Sequence, residues 1–121
     1  MRALLLLRSG DGRAHAARHD LERRLRGALA NGELGLDFQP LLNVKRNKIS
    51  CFEALLRWRP PGEAAIPSGE FVPIAEQTGL IVPIGEWVLR QSLSVAAKWP
   101  RHVRVAVNMS PVQFNAHNLS Q

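Results

Sequence analysis

Four side chains in this sequence have types and spacings suited to an anionic ligand or a hard cation: Gln39, Glu53, Arg57 and Asn108. Glu53 and Arg57 stand in CFEALLRWRP, residues 51–60, among neighbours hydrophobic enough to be buried. Side chains alternate across a strand, so Cys51, Glu53, Leu55 and Arg57 share one face, and Phe52, Ala54, Leu56 and Trp58 the other. The second face is uniformly apolar and should pack beneath helices. The first is mixed, and it is where a ligand would have to lie. Burying an unpaired carboxylate costs on the order of several kcal/mol, so Glu53 must be paired, hydrated or bound to a cation. Arg57 lies ~13 Å farther along an extended strand, at ~3.3 Å per residue. That separation suits the two ends of a ligand better than a direct ion pair, although a long arginine side chain closes part of the gap. From these residues alone two readings stand level: ligand contacts, or partners for local structural groups.

Asn108 sits where the alternating segment RHVRVAVN gives way to MSP. At the C-terminal end of a parallel strand, where ligand sites of open sheets and barrels gather, its carbonyl oxygen could serve Mg²⁺ or Mn²⁺. It could equally cap the turn that Ser110 and Pro111 begin. Gln39 lies on the preceding extended segment and comes near Glu53 if the two segments pair as a hairpin. The remaining candidates are weaker. His15 and His19 are four apart in a polar stretch with no carboxylate arrangement resembling a metal site, His102 and His117 have no partner at metal-site spacing, and Ser110 has no adjacent base. There is no glycine-rich phosphate loop.

These residues need elements to hold them. DLERRLRGALANGEL places Leu21, Leu25, Ala28 and Leu29 at helical spacing, with Asp20 as a possible cap and Asn31–Gly32 as the stop. Residues 36–44, LDFQPLLNV, read as a strand that Pro40 makes an edge or irregular one. KRNK is a turn, and residues 49–60 are the second strand of a hairpin. PPGEAAIPSG is a loop, a short helix runs from Ser68 to a stop at Gly79, and a longer one runs from about Pro83 to Lys98 or Trp99. Its stripe is Ile84, Val88, Val95 and Trp99, broadened by Leu89, Leu93 and Ala96. A strand then alternates Val103, Val105 and Val107 with Arg104 and Ala106, and Pro111 starts another helix. Strand, helical crossover and strand make a βαβ unit, which implies a parallel sheet covered by helices.

Composition narrows the class. At 121 residues, 45% hydrophobic and 21% charged, the chain reads as one folded domain rather than a disordered tail. The net charge of +6 is carried by the first half: residues 1–60 hold twelve Lys/Arg against six Asp/Glu, and the rest hold four of each. Such an excess could steer a phosphate ligand, a nucleic acid or a membrane surface. A nucleic-acid-binding fragment is disfavoured, because basic residues do not interleave with aromatics at stacking spacing and no DNA-binding motif is present. The run Ala3–Leu7 is too short for a membrane span or a secretory core, so a cytoplasmic chain is expected. A single cysteine, Cys51, excludes an intrachain disulfide and a cysteine-built zinc site.

FQPLLNV, FEALLRW, PIAEQTGLIVPIGEWVL and VAVNMSP, in this order between Phe38 and Phe114, resemble the EAL family of bacterial cyclic-di-GMP phosphodiesterases. The family's letters fall at Glu53, Ala54 and Leu55. The resemblance implies an α/β fold, a modified TIM barrel with one antiparallel strand, and hydrolysis of cyclic-di-GMP to pGpG with Mg²⁺ or Mn²⁺ and a metal-activated water. Within it Glu53 matches the metal-ligating motif glutamate and Asn108 the asparagine that joins it. Arg57 matches an arginine that contacts substrate phosphate, and Gln39 a glutamine lining the substrate site.

The resemblance covers about the N-terminal third of such a barrel. It leads to the expectation of a partial, unclosed barrel of about three strands with covering helices, residues 20–121 forming the N-terminal part of an EAL domain. Residues 1–19 are expected to be a flexible lead-in or an interdomain linker from an upstream diguanylate-cyclase-like domain. No catalytic set is complete here, since no Asp, Glu or Lys follows Asn108. The chain is therefore expected to be inactive alone and, with an open sheet edge and an incomplete helical cover, to self-associate or be poorly ordered. The alternative is a degenerate EAL-like module that binds nucleotide or protein.

Overall fold

The computed structural model describes residues 16–43 and 45–112. Helix α1 occupies residues 16–28, followed by β1 (Leu34–Asn43), β2 (Lys48–Trp58), α2 (Ser68–Thr78), α3 (Ile81–Ala96) and β3 (Arg104–Val107). The order matches the sequence expectation, and several boundaries are shifted by a few residues. α1 is already helical at residue 16, because Ala16, Ala17 and Arg18 favour helix. Asp20 is thus inside the helix and pairs with Arg23 at 2.6 Å instead of capping. Residues 1–15, with His15, and residues 113–121, with His117, lie outside the described residues. α3 begins two residues before Pro83, which occupies its first turn, and gives way after Ala96 to tight turns. β1 starts at Leu34, two residues earlier than its apolar alternation suggested.

The sheet order is β1-β2-β3, with β1 antiparallel and β3 parallel to β2. The expected hairpin and βαβ unit are both present. β1 is an edge strand, consistent with Pro40 within it. The turn between the strands uses Asn47 at φ 50°, a left-handed conformation that asparagine tolerates. Near the turn Asn43 pairs with Lys48 and Leu42 with Ile49, but Leu41 pairs with Cys51, so the register skips Ser50. That bulge has a large consequence. Because side chains alternate with period two, a one-residue slip moves a whole strand's side chains to the other face. With Ser50 skipped, Leu34, Leu36 and Phe38 lie beside Trp58, Leu56 and Ala54, and Asp37 and Gln39 share the opposite face with Leu55 and Glu53.

The apolar face carries the core. Trp58 and Phe71 are completely buried and meet edge to face, with ring centroids 5.5 Å apart. Leu25 and Ala28 of α1, Ile74 and Ala75 of α2, and Ile81, Ile84 and Val88 of α3 close around them. Trp58 satisfies its one polar atom by donating from Nε1 to Glu33 Oε1 at 3.0 Å. Arg24 spans its ring at 5.8 Å and reaches Glu63 at 2.7 Å, which ties α1 to the loop after β2. Arg18 Nη2 donates to Gln77 Oε1 and links α1 to α2. Farther along the sheet, Trp99 packs on Phe38 and Phe52 at 5.5 and 5.1 Å. The stripe of α3 is narrower than expected: Leu89 and Leu93 are exposed, and Ser92, four residues beyond Val88, takes the buried position.

α2 ends at Gly79, whose φ of 81° supplies the left-handed cap that the sequence anticipated. A Cβ at this position would be strained by the backbone itself, since nothing lies within 4 Å of where it would sit.

Candidate functional site

The face of the sheet away from the helices carries the candidate site. Gln39, Glu53 and Ala106 stand side by side on β1, β2 and β3 in one register row. Strands lie ~4.8 Å apart, so the Gln39 and Glu53 side chains rise from neighbouring positions. Asn108 is two residues beyond Ala106 and is the first residue after β3. Glu53 is half-buried, and Gln39 and Asn108 are exposed. Among the described residues, none of these three side chains makes a hydrogen bond or ion pair.

Arg57 has a different environment. It projects from the same face as Glu53, but its Nε donates to Asp37 Oδ2 at 3.1 Å, and Arg59 Nη2 donates to the same oxygen at 2.7 Å. The two guanidinium groups hold the Asp37 carboxyl below its usual range, hydrogen bonds from Arg59 and then Arg57 being the main causes. The readings left level by the sequence therefore divide: Arg57 has a local partner, whereas Glu53 has none among the described residues. Asp37 and Arg59 were not singled out from sequence. Their signal was available only in combination, since Arg59 is two residues after Arg57, and Asp37 becomes its neighbour once the hairpin register is known.

The second ambiguity concerned Asn108. Ser110 makes the cap: its Oγ accepts the Val112 N–H at 3.2 Å and donates to Glu76 Oε2 at 2.6 Å, fastening the loop after β3 to α2. The Asn108 amide is thereby left for other use. Between this loop, the end of β2 and helices α2 and α3 lies a cavity of about 310 Å³. Arg57, Asn108, Glu76 and Ser110 are among its lining, so it joins two of the four sequence candidates; Glu53 and Gln39 lie outside it.

The donor set suits a hard cation in part. Glu53 and Asn108 offer a carboxylate and an amide oxygen, the chemistry that Mg²⁺ and Mn²⁺ accept, but they would fill only some of about six positions. No group of three or more His, Cys, Asp and Glu residues able to hold a metal occurs among the described residues. No described helix is long and apolar enough to cross a membrane.

Comparison with known proteins agrees with this geometry. The cyclic di-GMP phosphodiesterase PdeR of Escherichia coli is 41% identical over 97 residues, covering 78% of this chain and 14% of PdeR. The Sinorhizobium fredii protein y4lL is 49% identical over 104 residues, covering 86% of this chain and 13% of its own length. The solved PaMucR phosphodiesterase in its c-di-GMP complex superposes with a TM-score of 0.69 at 38% identity, covering 84% of this chain and 42% of that one. The three strands and their helices are thus part of a TIM-barrel-like fold, left as an open sheet among the described residues. The sequence profile described as the EAL domain matches residues 22–121, and the chain belongs to the EAL domain family, of which it spans part of the domain.

Proposed function

We propose that this chain supplies one wall of a cyclic-di-GMP phosphodiesterase site. The single observation that carries this reading is the row Gln39–Glu53–Ala106, which sets the Gln39 and Glu53 oxygens side by side on the face opposite the core, with Asn108 just past the end of the adjoining strand. Glu53 and Asn108 would hold Mg²⁺ or Mn²⁺. Such a cation, when bound, orients water and offsets charge on the phosphoryl oxygens. Gln39 lines the nucleotide side, and Arg57 presents a directional fork to a phosphate. The likeness to PdeR and to the c-di-GMP complex of PaMucR supports the substrate class. The domain begins near residue 20, with the preceding segment serving as a linker to an upstream domain such as a diguanylate cyclase, in a cytoplasmic setting.

Two assays test this together. The 121-residue chain with excess Mn²⁺ is expected to form no pGpG, because among the described residues Glu53 is the only carboxylate at the site not already held by a neighbouring side chain. Residues 22–121 grafted in place of the matching segment of the PaMucR phosphodiesterase are expected to restore conversion of cyclic-di-GMP to pGpG. In that graft Glu53→Ala should lower the rate by about 100-fold or more, with a parallel loss of Mn²⁺ affinity in calorimetry. Undiminished hydrolysis by the Glu53→Ala graft would overturn the assignment. A graft that binds cyclic-di-GMP without hydrolysing it would favour the degenerate, nucleotide-binding alternative.

A further inference from the structure

The Asp37–Arg57–Arg59 cluster lies at the solvent-facing side of the sheet, apart from the core. The side chains of Arg57 and Asp37 are 38% and 47% exposed, and ion pairs this exposed contribute little to stability. The backbone nevertheless builds the cluster deliberately. Asp37 is opposite Leu55, which places it diagonally across the pair from Arg57, and the residue directly opposite Arg57 is Gly35. With no side chain at that position, the arginines are free to lie across β1 toward Asp37. A Cβ at Gly35 would come into ordinary van der Waals contact with Arg59 Nη1 at 3.5 Å, so the cluster lies directly against this open position.

We propose that Asp37 is a positioning residue that holds Arg57 by its Nε edge, leaving the two terminal amino groups as the fork that grips a phosphate of cyclic-di-GMP. This rests on the reading of Arg57 under Proposed function. A guanidinium can meet an oxyanion side-on, through Nε and one terminal nitrogen, or end-on, through both terminal nitrogens. Asp37 takes Nε, and the end-on mode remains. A carboxylate beside a phosphate-binding arginine would ordinarily cancel its charge. Arg59 prevents that: two guanidinium groups and one carboxylate leave a net charge of +1. Arg59 therefore keeps the cluster attractive to phosphate while Asp37 fixes its direction.

The test is titration of cyclic-di-GMP, without metal, into the full 121-residue chain, followed through arginine side-chain nitrogen signals in NMR. In the parent chain the Arg57 Nε–H signal should be protected from exchange and stay in place on titration, while its terminal amino signals move. Asp37→Ala should free the Nε–H and weaken binding about fivefold, the effect of leaving one rotamer-rich side chain to be ordered by the ligand. Asp37→Asn, which keeps an acceptor oxygen, should recover part of that loss, and an unchanged spectrum elsewhere shows the fold is intact. Failure of the parent to bind, or equal binding by Arg57→Ala, would overturn Arg57 as a phosphate ligand and the proposal with it. Weakened binding by Arg57→Ala beside parental or tighter binding by Asp37→Ala would overturn the role of Asp37 alone.

Discussion

The two faces of β2 are built from alternate residues of one strand, yet different physics governs them. On one side, Ala54 and Trp58 are sealed under three helices, and the only polar atom of the Trp58 side chain is paired with Glu33. On the other, Glu53 is half-buried without a described partner and Arg57 is half-exposed in a charge cluster. Removing apolar area from water contributes ~25 cal/mol per Å², so the first face dominates stability. Charged groups facing water return little folding energy but keep their capacity to bind. A strand can thus carry a site without weakening its core because alternation keeps the two tasks on separate sides.

Substitutions at individual residues should expose this division. The largest effect is expected from Trp58→Ala, which empties the centre of the core and leaves Glu33 without its donor; unfolding by denaturant should show a loss of about 3–5 kcal/mol. Ser110→Ala should cost about 1 kcal/mol by removing the cap on Val112 and the link to Glu76, whereas Asn108→Ala should leave stability nearly unchanged. An equal loss from both would return Asn108 to the structural role that the sequence had left open. Glu53→Ala joins Asn108→Ala at the small end, expected within about 0.5 kcal/mol of the parent in the same assay. A Glu53 loss comparable with that of Trp58 would erase the distinction between the faces.

Much of the fold was legible in advance because its signals are local. The alternation of Phe52, Ala54, Leu56 and Trp58 against Glu53 and Arg57, the stop at Gly79 and Pro83 in a first turn all follow from the preferences of a few adjacent residues. The misplaced features depend on competition between neighbours. Asp20 has the chemistry of a cap, but Ala16 and Ala17 extend the helix past it. Leu89 and Leu93 are apolar enough for the core, but the stripe through Ile81, Ile84, Val88 and Ser92 lies closer to the sheet and excludes them.

The sequence by itself determined which residues could do chemistry and, through its four ordered blocks, the family to which they belong. What only the tertiary structure decided is which of them meet. Pairing counted back from the turn would set Gln39 beside Phe52. The skipped Ser50 moves it opposite Glu53 and carries Asp37 to the side of Arg57. No local preference announces a one-residue bulge. It is selected because only that register lets the apolar residues of both strands reach the same core, and the polar row on the other face is its geometric consequence.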